Sequence, residues 1–188
     1  MKWNVGMKIS MGFGLALAIL VAIGTVSYLS IAKLTDTAEW VAHTYQVLEK
    51  LEAVLSGMKD AETGQRGYII TGEERYLEPF RAAKETINQK VKSLRELTRD
   101  NVNQQRRLDI LEPLIDGREG KFAELQETIG ARKDKARGFD AARQIVLTDK
   151  GKNVMDDIRK TIDEMMREEN TLLKKRSDEA QTSARNTT

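Results

Sequence analysis

Hydrophobic positions change rhythm once along this chain. From Ile9 to Ala32 there is no charged residue, and Lys8 and Lys33 fence the run. Beyond Lys33 apolar residues recur in steps of mainly three, four or seven among many charges. The first pattern predicts a membrane-crossing helix: 24 residues at about 1.5 Å each reach about 36 Å, against a hydrocarbon core of about 30 Å. A secretory signal has a shorter apolar region, about 7 to 15 residues, ending in a small-residue cleavage site. Here the run is longer and the helical pattern continues past it, so the expectation is an anchor that is not removed.

The second pattern predicts amphipathic helices. One series is Trp40, Val41, Leu48, Leu51, Leu55, Met58; a second is Phe80, Ile87, Val91, Leu94, Leu97. A third runs Leu108, Leu111, Ile115, Phe122, Leu125, Ile129, and a fourth Met155, Ile158, Ile162, Met165, Leu172. Four helices are the economical count. Thr71 and Glu74 have capping-box spacing. Pro79 either follows a separate short turn and sits near a helix start, or kinks the opening of the second helix. The Asp100-Asn101-Val102-Asn103 segment is a second turn with Asp or Asn as cap, and Asp149-Lys150-Gly151 a third.

Tyr68-Ile69-Ile70-Thr71 echoes Ile145-Val146-Leu147-Thr148, 77 residues later, as two stacked helical hairpins would. The expected fold is therefore all-α: an N-terminal transmembrane helix continuing into an antiparallel four-helix bundle, up-down-up-down, with both Thr turns at the membrane-distal end. The third segment, Asn103 to Thr148, is too long for one straight partner. Pro113, Gly117, Gly120, Gly130 and Gly138 offer places to bend, and the polar stretch 130–138 is the preferred interruption.

Composition supports long helices: 32% of residues are charged with signs nearly balanced, 5% are aromatic, and there are two prolines. A net charge of +2 without a concentrated basic stripe excludes nucleic acid as a partner. Lys2 and Lys8 make the N-terminal tail basic, while Asp36 and Glu39 accompany Lys33 beyond the run, so the tail is expected in the cytoplasm. The domains read as a cytoplasmic tail 1–8, a span 9–32, an extracytoplasmic bundle 33–176, and a membrane-proximal helix end 177–188 leading to a second span. With no cysteine, packing alone must hold the bundle.

The stretch WVAHTYQVLEKLEAVLSGMKDAETGQRGYIITGEERYLEPF, Trp40 to Phe80, resembles the signature of the third class of CHASE domains. The resemblance continues in Leu97-Thr98-Arg99-Asp100-Asn101, Gln105, Leu108, Thr148, Gly151-Lys152, Met155, Asp156, Ile158 and Arg159, covering about residues 38 to 176. Val102 stands where such turns commonly carry proline. The resemblance implies an extracytoplasmic sensory module in the bacterial inner membrane, set between two spans and signalling as a homodimer. Its output domain would lie in the cytoplasm on the same polypeptide. A histidine kinase is the first expectation for that output and a methyl-accepting chemoreceptor the second; a membrane-anchored structural or adaptor bundle is the rival. Any ligand, small molecule or protein, is unknown.

Among the signature residues, Asp60, Glu62, Gln65 and Arg66 lie near the distal end of the first helix, and Glu62 with Arg66 is a favourable i,i+4 pair. The first expectation is a structural network around Arg66 that sets the turn; the second is direct ligand contact by these four. Gly67 would permit a close helix contact, Thr71 cap the turn, and Gly72 supply a backbone shape that side chains resist. His43 is the only histidine, and with no cysteine nearby a metal site is not expected. Nor is it placed as a phosphoacceptor. Glu168 and Glu169 read as part of a solvated face. No catalytic motif and no cofactor site is found, so this chain is not expected to be an enzyme. Within the span, Gly14, Ala18 and Ala22 form a small-residue ridge that could let two spans pack. Asn186-Thr187-Thr188 matches the glycosylation pattern by chance.

Overall fold

A computed structural model of the chain describes residues 5–134 and 136–185. Lys2 and the Asn186-Thr187-Thr188 triplet lie outside them. Among the described residues the chain is all-α. The helices are α1 (Val5–Thr71), α2 (Glu78–Leu97), α3 (Val102–Asp116), α4 (Lys121–Arg132), α5 (Gly138–Val146) and α6 (Lys150–Arg185), with one 3-10 turn at Glu74–Leu77 before α2. Contacts divide the chain into two units, one holding residues up to Ala42 and from Leu172 onward, the other His43–Thr171.

In the first unit the apolar side chains of the Ile9–Ala32 run face outward; Phe13 is 72% exposed and Leu20 66%. Thr25 returns its hydroxyl to Val21 O at 2.8 Å, satisfying that polar group within its own helix. Further on, the Arg176 guanidinium stacks 4.7 Å from the centre of the Trp40 ring and donates to Trp40 O at 3.3 Å. Trp40 is thus a half-open ring under a cation, not the first core position that its spacing suggested; the buried series begins at Thr44 and Val47.

The second unit is a four-legged antiparallel bundle. Its core takes one stripe from each leg, including Leu51, Met58, Ile87, Leu111, Phe122 and Ile158, the positions that the periodicity assigns inward. Leg one is α1 from His43 to Thr71. It ends on Gly72, whose φ of 73° lets its N–H donate back to Tyr68 O at 2.7 Å. Thr71 does not form the capping box: its hydroxyl donates to Gly67 O (2.8 Å) and accepts from Glu73 N (3.2 Å), because a 3-10 turn intervenes before α2. Pro79 then falls in the first turn of α2, where a missing N–H costs nothing. Asn101 caps α3, its Oδ1 accepting from Asn103 N and Gln104 N at 3.1 and 3.2 Å. Val102 is the first helical residue, a position that proline also suits.

The far turn differs from expectation. The segment after Arg132 is itself the reversal between legs three and four, built on Asp134 Oδ1 accepting from Ala136 N and Arg137 N at 2.8 and 2.9 Å. Leg three is α3 plus α4, broken at Gly117–Gly120, where a Cβ on Gly120 would fall 2.7 Å from Pro113 O. Leg four is α5 plus α6, broken at Leu147–Asp149; Asp149 takes φ 58°. Gly130 lies inside α4. Leg length explains the arrangement: Val102–Arg132 spans 31 residues against 29 for His43–Thr71, so a turn just after Arg132 matches the legs, whereas one at Asp149 would overshoot. The echo of Tyr68–Thr71 in Ile145–Thr148 therefore does not mark equivalent turns.

Candidate functional site

The breaks in legs three and four meet at one side chain. Lys121 is the first residue of α4, directly after the Gly117–Gly120 break, and it is 2% exposed. Its ammonium donates to Glu62 Oε1 (3.1 Å) on α1, to Glu124 Oε2 (2.9 Å) one turn along α4, and to Gly151 O (3.0 Å) in the first turn of α6. An ammonium has three hydrogens, and all three are used. A cation at a helix N-terminus opposes the helix dipole, so both carboxylates are needed there.

Each carboxylate is held in turn. Glu124, also buried, has Thr128 Oγ1 at 3.1 Å from its Oε1. Glu62 takes Arg66 at 3.2 Å on the oxygen that Lys121 uses, and Arg159 stands 3.7 Å from the other. A Cβ on Gly151 would lie 2.7 Å from Glu124 Oε1, so a glycine there lets the carboxylate in. The network joins legs one, three and four.

Of the residues marked in the sequence, Glu62, Gln65 and Arg66 share this site. Asp60 does not: at about 100° per residue it lies about 160° from Glu62 around α1, and it lines a separate cleft between α1 and α2 with Gly57, Thr63 and Pro79. Arg66 is on the rim, its side chain 66% exposed, so the network is centred on Lys121 rather than Arg66. Gly67 does admit a close neighbour, since a Cβ there would lie 2.8 Å from the Tyr76 ring. The reading of spacing missed Lys121, Glu124 and Thr128. A signal was present: these three follow the period of Phe122, Leu125 and Ile129 and form a polar stripe beside an apolar one.

A second polar cluster lies where α3 begins. Gln104 Nε2 donates to Glu169 Oε1 (2.8 Å) and Met165 O (3.1 Å). Glu168 accepts from Arg107 and from Asn101 Nδ2, the latter at 2.9 Å. Glu169 is 3% exposed and Glu168 half-buried, so neither belongs to a solvated face. Burial pushes the Glu168 carboxyl upward, but the bonds from Arg107 and Asn101 more than reverse this and leave it below the usual carboxylate range. Arg95 on α2 reaches Glu112 (2.9 Å) and Asp109 (2.8 Å) on α3. His43 Nε2 stands 2.9 Å from Leu97 O; a carbonyl only accepts, so that nitrogen carries the proton. No cluster able to hold a metal occurs among the described residues.

The fold is similar to that in the crystal structure of the Rhodopseudomonas palustris histidine kinase HK9 sensor domain, with a TM-score of 0.61 at 24% identity, over 70% of this chain and 98% of that one. No curated protein matches the chain. The CHASE3 domain family matches residues 37–179, a range that holds the whole bundle, the Lys121 network and the resemblance centred on Trp40 to Phe80. By that match the chain belongs to the CHASE3 family of sensory domains.

Proposed function

We propose that the chain is the signal-input module of a transmembrane receptor, with residues 9–32 spanning the bacterial inner membrane, residues 33–188 outside the cytoplasm, and α6 leading to a second span. One observation carries this reading. α1 is a single helix from Val5 to Thr71, so one continuous helix carries an outward-facing apolar run long enough for a bilayer and the buried core positions Val47, Leu51 and Met58. The backbone continuity of that helix is the route by which, in this reading, a displacement of one stretch would reach the other. A stimulus that favours one of two packings by a few kcal/mol changes the populations strongly.

A homodimer is part of the proposal, with Gly14, Ala18 and Ala22 at the contact between spans. A histidine kinase is proposed as the output domain on the same polypeptide, because the solved domain with this fold comes from one; a chemoreceptor is the alternative. The absence of cysteine makes topology directly measurable. Lys59→Cys, at an exposed position of α1, should react with a membrane-impermeant maleimide on intact spheroplasts. Reaction only after lysis reverses the topology and ends the proposal. For the dimer, Ala18→Ile should reduce crosslinking between paired Ser10→Cys spans; undiminished crosslinking removes the ridge from the contact.

A further inference from the structure

The Lys121 network floors a cleft of about 160 Å³ between α1, α4 and the α5–α6 break. Three features of its wall are unused by the fold. Gln65 is 2% exposed and lines the cleft, and its side-chain amide makes no hydrogen bond among the described residues; neither amide atom is among the fully buried unpartnered ones, so the little surface the residue keeps is at its polar tip, free to take a ligand in place of solvent. The N-terminus of α6 opens there. Its first backbone bond is Asn153 N to Asp149 O, so among the described residues the N–H groups of Gly151 and Lys152 have no backbone acceptor and form a positive end, with the side chains of Arg66 and of Lys152, itself paired with Asp156, beside it. Asp149 lines the same cleft, and its carboxylate makes no hydrogen bond or ion pair among the described residues, acting on Lys152 through its charge alone.

The charges decide the chemical class. The lining has three acids, Glu62, Glu124 and Asp149, and three bases, Arg66, Lys121 and Lys152. They cancel. A simple anion or cation gains no net attraction, whereas a molecule with both charges finds a separate pole for each. The volume lies below the range of about 300–1,000 Å³ typical of drug-sized ligands, so the cleft itself matches a molecule of a few heavy atoms rather than a nucleotide, oligosaccharide or peptide.

We propose that this cleft binds a small zwitterion, an α-amino acid with a compact side chain. Its carboxylate lies toward the Gln65 amide, Arg66 and the first turn of α6, its ammonium toward Asp149, and its substituent against Val146. Such a ligand ties α1 to α6, the helices through which the proposed receptor would transmit; the site deepens the sensory reading, which it needs for its use but not for its measurement.

The test is calorimetric titration of the full chain in detergent micelles with alanine, and with propionate and ethylamine, which each lack one of its charges. Alanine should bind saturably and at least about tenfold more tightly than either. Gln65→Leu should weaken alanine by about tenfold or more with helix content unchanged. Asp149→Asn, whose new residue tolerates the left-handed backbone, should abolish the preference for alanine over propionate. No saturable heat with alanine overturns the proposal, as does propionate binding equally well to the unaltered chain, or full affinity in both variants. Cysteine labelling reads the topology separately: binding with reversed topology defeats only the receptor proposal, and correct topology without binding defeats only the site.

Discussion

The two polar clusters of the bundle do the same job with different materials. Around Lys121 the contacts are between full charges at nearly complete burial. Where α3 begins one carboxylate, Glu169, is equally buried, but it is met by the Gln104 amide rather than by a buried cation, and the rest runs through amides and half-open ions: Gln105, Asn101, and the Arg95 and Arg107 pairs. Buried charge has no cheap alternative arrangement, because separating the partners strands a charge in a poor solvent. Hydrogen bonds from amide groups can be exchanged one at a time, each for about 1 kcal/mol net. The first cluster therefore ties the register of three legs at the level of their breaks, and the second is expected to be the more compliant of the two.

Removing Lys121 should break this comparison most violently. Lys121→Met leaves Glu62 and Glu124 buried without their shared ammonium and should cost about 3–5 kcal/mol of stability, read as a lowered urea midpoint of the chain in micelles. Adding Glu62→Gln and Glu124→Gln to that variant should recover a good part of the loss, since no buried charge then remains. A loss under about 1 kcal/mol in the single variant would mean that water reaches the ammonium, and the contrast between the clusters would disappear.

That Lys121 went unseen in the sequence while most of the core was seen has a physical cause. Apolar periodicity reports which face of a helix turns inward, and Leu51, Ile87, Leu111 and Ile158 follow it because water is excluded from that face whatever lies opposite. It is silent on how far a leg runs before it reverses. The turn beyond Arg132 became visible only when legs had to match in length, and Asp134, which builds it, is one polar residue among many. The signature residues of the resemblance drew notice to Arg66, although Glu62 is the residue that the buried lysine needs. Sequence proximity also grouped Asp60 with Glu62, and helical phase puts them on opposite sides of α1. Glu168 and Glu169 misled for the converse reason: a charge pair on a helix is usually solvated, and only the approach of α3, fixed by Asn101, buries them.

The second cluster should respond more mildly. Gln104→Leu keeps the volume but removes the donors to Met165 O and Glu169, and should cost about 1–2 kcal/mol. Because Gln104 Oε1 has no partner among the described residues, part of the loss is returned when that carbonyl goes. A cost equal to that of Lys121→Met would erase the distinction. Smaller still is Arg66→Met, expected within about 1 kcal/mol because the guanidinium is mostly in water and its ion pair is screened. Both can be read from thermal midpoints under the conditions used for Lys121.

The finest test is acid. Glu168 is held below the usual carboxylate range in the folded chain, so the unfolded chain takes up its proton first as pH falls. Its contribution is fully present above the unfolded carboxyl pKa of about 4.3 and is lost as pH drops through the lower folded value. Glu168→Gln should accordingly lower stability at pH 7 and leave it nearly unchanged at the acid end, so the two stability curves converge downward. Arg107→Gln should give the same convergence, since it removes the hydrogen bond that pulls Glu168 down. If the α3 end is where the bundle gives way, amide exchange in the first turn of α3 should rise on acidification before that of α4 beside Lys121. Simultaneous loss of protection in both helices would show that the two clusters open as one unit, and that differing chemistry at the two ends does not make one of them the compliant end.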